Sequence, residues 1–385
     1  MLEHASPSRA SDPGLSERRS FRLGYRPALD GFRGVSIVAV MLYHTGIVSG
    51  GFLGVDMFFV LSGFLITSLL LEELASTGRV SFRSFYVRRA LRLLPALAPV
   101  VVIAGGVMIA WDPSLGTVGF VLSVIFYSAN WAIVYGLPQG LLGHAWSLAI
   151  EEQFYVIWPP LLLLLVHVIR RRWMLLLVVL SAAGIAVAHR FTIMHTPAGM
   201  ARIYVGLDAH ADPVLIGCAL GIFCASRLFR RTRRAVVVWN VLGVLAGLVL
   251  LALLVRARFP VDYLLASAST WAAAASALVI VAALLPSSPC GDLLGSAPLT
   301  WLGRRSYALY LWHYPVFYVA GPLWKPEAHP TAALLAWVAT VALAAISFRY
   351  IEQPVLELKT SLATRDAEPA RDPSPLAETA RLRRP

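Results

Sequence analysis

Between residues 34 and 346, apolar stretches follow one another without a polar block large enough to fold by itself. About 20 apolar residues is the length a helix needs to cross the hydrocarbon core of a bilayer. Helices and closed barrels alone satisfy their own backbone groups there. Stretches of that length lie at 29–48, 52–71, 93–111, 148–168, 173–190, 206–225, 236–255, 264–285, 306–324 and 331–351. They predict an all-α fold, a polytopic bundle of about ten transmembrane helices forming one membrane domain over 26–357. Hydrophobic residues make up 58% of the chain and charged residues 14%, against about 45–50% and about 25% in soluble domains. A soluble enzyme is excluded. Residues 1–25 and 358–385 lack apolar periodicity and are expected to be disordered, cytoplasmic segments, the first of them not a cleavable signal.

The net charge of +12 does not form a stripe suited to nucleic acid. Its arginines sit in short runs between apolar stretches, at 18–26, 79–92, 170–172, 227–234 and 304–305, where cytoplasmic anchors belong. An even number of spans must then separate any two runs. Between 92 and 170 this holds only if the further stretch 118–135, which carries Asn130, is not a full span. It is expected to be re-entrant or to line a cavity, with both termini cytoplasmic and the 136–146 loop outside. Cys218, Cys224 and Cys290 give an odd count with no disulfide framework or zinc spacing, and read as packing residues.

Ionisable residues inside spans are costly and point to function. Arg33 and His44 are eleven residues apart, about 1100° of rotation, so they share a helix face about 16 Å apart along the axis. Asp56 begins the second span from the outer side. Glu151 and Ser147, one turn apart after Trp146, open a span that starts outside. His44, Asp56 and Glu151 therefore converge at one depth in this reading, His44 as general base and a carboxylate as its partner, Glu151 first and Asp56 second. At the inner face, Arg33 with Arg88, Arg89 and Arg92 makes a candidate polyphosphate clamp, because guanidinium forks grip phosphate bidentately. Ser147 is the rival, as the nucleophile of an acyl-enzyme. His313, among Tyr310, Trp312 and Tyr314, is a supporting candidate, and Arg349 with Glu352 reads as a helix-end ion pair.

In these residues the chain resembles the acyltransferase 3 family of bacterial membrane proteins, over roughly 25–355. The likeness is carried by Leu29 to Gly34, the Arg33 and His44 spacing, and Gly51 to Asp56 followed by Phe58 to Phe64. It continues through Arg89 and Arg92, Trp146-Ser147 with Glu151, Ser306-Tyr307 with Leu311 to Pro315, and Phe348 to Pro354. The resemblance implies about ten helices in the bacterial inner membrane, acyl-CoA as cytosolic co-substrate, and an essential His44. The implied acceptor is a hydroxyl of a glycan or of a secondary metabolite such as a macrolide. His210-Ala211-Asp212 departs from the Arg-x-Asp of many relatives. The esterase-like domain that many relatives carry after the membrane part is not expected. No tightly bound cofactor and no metal site is expected, since His167, His189 and His195 lack ligand spacing. The competing readings are a multi-span secondary transporter, which would be favoured by internal repeats that the chain lacks, and a glycolipid-binding scaffold.

Overall fold

The structure, a computed structural model, describes residues 23–226, 228–229, 232–262, 267–321, 330–355 and 357, and among them there is no strand. In chain order the helices are α1 (Pro27–His44), α2 (Gly54–Thr77), α3 (Phe82–Val100), α4 (Gly106–Trp111), α5 (Leu115–Ile125), α6 (Ala129–Val134), α7 (Trp146–Val168) and α8 (Arg172–Ile193). They continue as α9 (Gly199–Val205), α10 (Asp212–Cys224), α11 (Arg233–Arg256), α12 (Ala268–Ala283), α13 (Pro289–Leu294), α14 (Ala297–Arg304), α15 (Ser306–Ala320) and α16 (Pro330–Ser347). A π-turn at Val101–Gly105, following Pro95 and Pro99, joins α3 to α4.

Each of the ten expected apolar stretches holds a helix, and among the described residues six are long and apolar enough to cross a membrane: Gly51–Thr77, Phe82–Trp111, Gly140–Val168, Arg172–Ile193, Arg233–Arg256 and Thr331–Val355. Two of the others fall short for local reasons. α1 carries Asp30 and Arg33 among its 18 residues, and α10 has only 13, about 20 Å of helix against a core of about 30 Å. The expected terminal segments lie outside the described residues, apart from 23–25. There the Leu23 N–H donates to Glu72 Oε2 at 3.1 Å.

α2 is apolar on every side, as a central helix must be, and buried over most of its length. Around it stand α1, α7, α10 and α12. α10 packs on it most extensively, at a crossing where Gly63 meets Gly217. A Cβ on Gly63 would lie 2.0 Å from the Val214 carbonyl oxygen, and one on Gly217 would lie 2.0 Å from that of Val60. Such close approach is how helices associate where no hydrophobic effect drives them together. α15 packs against α1, α3 and the 3₁₀ turn Gly140–Ala145, and so closes the side of the bundle on which the site lies.

The 118–135 segment is broken, as expected, into α5 and α6, with Tyr127 at φ 51° between them. No residue of it lines the cavity described below. Its break is packed against α7 instead: Gln153 Nε2 donates to the Tyr127 carbonyl at 2.8 Å and to Asn130 Oδ1 at 2.9 Å. This is the other condition under which irregular backbone survives at membrane depth.

Candidate active site

Helical rotation of 100° per residue sends neighbouring side chains of α7 in different directions while Ser147, Glu151 and Tyr155 stay close to one face. That face borders a cavity of about 190 Å³ whose walls are α2, α3, α7 and α15, with Arg33 of α1 at one end. Volumes of about 300–1,000 Å³ are usual for sites that enclose a drug-sized ligand, so this one suits a narrow chain. Glu151 accepts a hydrogen bond from Ser62 of α2 and lies 3.2 Å from the Tyr155 hydroxyl, which also touches Ser62. At one end stand Arg33, Arg89 and Arg92 with Tyr307; at the other, Ser147 and Tyr310.

The four predicted clamp arginines separate. Arg33 holds Asp30 at 3.0 Å within α1 and faces the cavity. Arg92 also lines it, is exposed, and makes no hydrogen bond to another described residue. Arg89 is tied down: its Nε donates to Glu152 at 2.7 Å, and its guanidinium lies 3.1 Å over the Tyr155 ring. Arg88 points elsewhere, donating to Ser84 with Glu73 at 3.9 Å, and does not line the cavity.

Beyond Tyr310 the cavity meets a bar of hydrogen bonds. Ser147 Oγ lies 2.6 Å from the Tyr310 hydroxyl, and that hydroxyl donates to the His144 carbonyl at 2.9 Å. One turn further along α15 begins a cluster of imidazoles. His44, at the C-terminus of α1, has its ring 5.3 Å from that of His313 and 5.2 Å from that of Tyr314. His144, on the Gly140–Ala145 turn, stacks on Tyr314 at 5.0 Å and meets His313 edge-on at 5.5 Å. His313 and His144 are buried, His44 exposed. No group among the described residues holds three ligands in metal-binding geometry.

The expected meeting of His44 with Asp56 and Glu151 does not occur. No hydrogen bond or ion pair joins His44 to either carboxylate. Equal depth along the helix axes did not place them on facing sides of the bundle. Asp56 is fully buried against His210, its Oδ1 2.8 Å from Nε2, while His210 Nδ1 lies 2.5 Å from the Tyr204 carbonyl. Trp146 stacks on that histidine at 5.7 Å and supports it, without entering the cavity. Asp212, two residues on, pairs with buried Arg190 and accepts from Thr270 at 2.6 Å. Arg190 also donates to the Ala209 carbonyl at 3.1 Å and to Ser269 at 2.9 Å. The Arg349–Glu352 pair does not form either: Arg349 bonds Gln353 at 3.3 Å, and Glu352 Oε1 is buried without a partner. Tyr155, His144 and Arg190 escaped the sequence reading, and Tyr310 entered it only as a neighbour of His313. Tyr155, Tyr310 and His144 lie one turn from Glu151, His313 and Ser147, whereas Arg190 ends an apolar stretch and looks like an anchor.

Residues 26–349 match a family described as an acyltransferase domain. The chain is 35% identical over 350 residues to "Putative peptidoglycan O-acetyltransferase YrhL" of Bacillus subtilis, covering 86% of this chain and 55% of that protein. It is 33% identical over 351 residues to "Peptidoglycan O-acetyltransferase OatA" of Listeria monocytogenes, covering 86% and 56%. To "O-acetyltransferase OatA" of Staphylococcus aureus it is 31% identical over 348 residues, covering 86% and 57%. The chain thus spans about half the length of the curated relatives it matches. No solved structure matches it.

Proposed function

This chain belongs to the acyltransferase family whose domain it matches over residues 26–349, and from that premise we propose that it moves an acetyl or other short acyl group from acyl-CoA to a glycan hydroxyl. Two of the relatives above are named for peptidoglycan, which favours the glycan over the secondary metabolite among the expected acceptors. The transporter reading has no support from a family of transferases.

The observation that carries the proposal is the cavity running from Arg33 and Arg92 to the Ser147–Tyr310 bar, with the histidine cluster behind it. Along α2, lining residues extend from Leu69 to Val55, fourteen positions or about 21 Å. In this reading the donor's phosphates rest on Arg33 and Arg92 at the exposed mouth, outside a cavity too small for a nucleotide. Its thioester arm threads inward. Glu151 and Ser62, polar groups in an otherwise largely apolar wall, suit the amides of such an arm, so Glu151 serves the donor and not His44.

The acceptor oxygen attacks the thioester carbonyl and loses its proton to an imidazole of the cluster. The C–O bond forms, the C–S bond breaks, and the thiolate recovers the proton. Direct transfer is favoured over an acyl-enzyme. Ser147 Oγ is engaged by Tyr310 and the His144 carbonyl, and neither an imidazole nor a carboxylate bonds it to act as its base. In this reading His44, where the sequence suggested the general base, is the cluster's exposed member and passes the proton on.

The test is purified full chain supplied with labelled acetyl-CoA and soluble peptidoglycan fragments. His44→Ala should lower transfer by about 10²-fold or more, the scale of general acid–base catalysis, at unchanged melting temperature. Wild-type protein that leaves acetyl-CoA intact would refute the proposal. The donor end is assigned to the cytoplasm, with both termini, so a cysteine at Gln139 should label from outside in intact cells. Labelling only after permeabilisation would reverse that orientation.

A further inference from the structure

We propose that His313 is the base that takes the acceptor's proton, and that His144 is the donor that holds the acceptor's oxygen; together they form the hydroxyl site of the transfer proposed above, on which this inference rests. The case begins with hydrogen-bond capacity. His313 Nδ1 lies 2.6 Å from the Tyr310 carbonyl, three residues earlier on α15. A carbonyl only accepts, so Nδ1 carries a hydrogen. In the neutral ring Nε2 is then a bare lone pair, and that atom is fully buried without a partner.

His144 is the complementary half. Its ring passes close to the Leu311 backbone, yet neither of its nitrogens reaches a partner in hydrogen-bonding geometry. Stacking on Tyr314 and the edge contact with His313 fix its plane. Three orphaned nitrogens thus lie in two touching rings. Each buried polar atom left without a partner costs about 1–3 kcal/mol, and such groups are rare enough to need an explanation.

A hydroxyl satisfies one open nitrogen of each ring. Its O–H donates to His313 Nε2, and its oxygen accepts from the N–H of His144. A carboxylate or phosphate cannot do this, since it offers only acceptors to a nitrogen that is itself an acceptor. Burial without a nearby carboxylate also disfavours a resting imidazolium, so the pair selects a neutral nucleophile. In the reaction the hydroxyl proton passes to His313 Nε2 as the oxygen bonds the thioester carbon. The C–S bond then breaks, and the imidazolium returns the proton to the departing thiolate through His44, whose exposed ring is 5.3 Å away. The Nδ1–H bond to Tyr310 keeps the ring oriented throughout.

Steady-state kinetics of the full chain in nanodiscs, with acetyl-CoA and soluble peptidoglycan fragments, test both assignments. His313→Gln should lower kcat by about 10²–10⁴-fold while the acetyl-CoA KM stays within about twofold, and free imidazole should restore part of the activity of His313→Ala. His144→Phe keeps the stacking on Tyr314 but removes both nitrogens. It should raise the acceptor KM about tenfold, the loss of one hydrogen bond of about 1.4 kcal/mol, without moving the acetyl-CoA KM. His313→Gln with kcat within threefold of wild type, or His144→Phe with an unchanged acceptor KM, would overturn the assignment. Either result in an active wild-type protein leaves acyl transfer standing, whereas an inactive wild type removes both.

Discussion

Two buried polar clusters sit in the same bundle and treat their hydrogen-bonding atoms in opposite ways. Where α8, α10 and α12 meet, Arg190 spends Nε, Nη1 and Nη2 on Ala209, Ser269 and Asp212, Asp212 fills both oxygens, and His210 fills both nitrogens, with Asp56 Oδ2 left over. Where α1, α15 and the Gly140–Ala145 turn meet, three imidazole nitrogens have nothing. A nearly closed network ties helices together, and an open one keeps hydrogen-bonding capacity for a ligand. The comparison breaks most readily at Arg190. Arg190→Met leaves the Asp212 carboxylate buried and unpaired, which should cost about 3–5 kcal/mol, read as a large drop in melting temperature and yield of the solubilised protein. Arg190→Met combined with Asp212→Leu should recover most of that loss. His144→Phe should melt no lower than wild type. If Arg190→Met melted normally and lost only activity, the closed network would be part of the site after all.

The arginines of the donor end divide along the same line, and the next effect in size distinguishes them. Arg92 lines the cavity and makes no hydrogen bond to a described residue, whereas Arg88 bonds Ser84 and faces Glu73 at 3.9 Å, away from the cavity. Arg92→Ala should raise the acetyl-CoA KM about 10–100-fold, the loss of one or two charge-assisted hydrogen bonds to phosphate. Arg88→Ala should change it less than about twofold, since an exposed ion pair contributes about 0–1 kcal/mol. Equal effects of the two would restore the four-arginine clamp.

The sequence made some of this arrangement legible and hid the rest for a geometric reason. Hydropathy and rotation along one helix are local, so all ten stretches contain helices, Ser147 and Glu151 do share a wall, and the 118–135 segment is broken. Which helix faces which is not local. It depends on contacts such as Gly63 against Val214 and Gly217 against Val60, and these turn Asp56 toward His210 and away from His44. Arg190 shows the other limit. At the end of an apolar stretch it has the sequence signature of a snorkelling anchor, and its burial alone reveals a structural ion pair.

The smallest expected effect is at Asp56, where the sequence suggested a catalytic carboxylate. Both nitrogens of His210 face acceptors: Nδ1 is 2.5 Å from the Tyr204 carbonyl, and Nε2 is 2.8 Å from Asp56 Oδ1. Nδ1 must therefore carry a hydrogen. The bond to Asp56 then holds a single proton, which belongs either to the imidazole or to the carboxyl. Asparagine can complete that bond in both cases, by accepting with its oxygen or donating with its amide. Asp56→Asn should accordingly lower stability by no more than about 1 kcal/mol, the net worth of one hydrogen bond, whereas Asp56→Ala leaves His210 Nε2 unsatisfied at a cost of about 1–3 kcal/mol. Transfer by Asp56→Asn should stay within about threefold of wild type, a difference of about 0.7 kcal/mol. Thermal melts and initial rates on the same preparations separate the two outcomes. A fully folded Asp56→Asn that has lost transfer would mean that the charge itself is needed, and would move this pair from the closed network into the reaction.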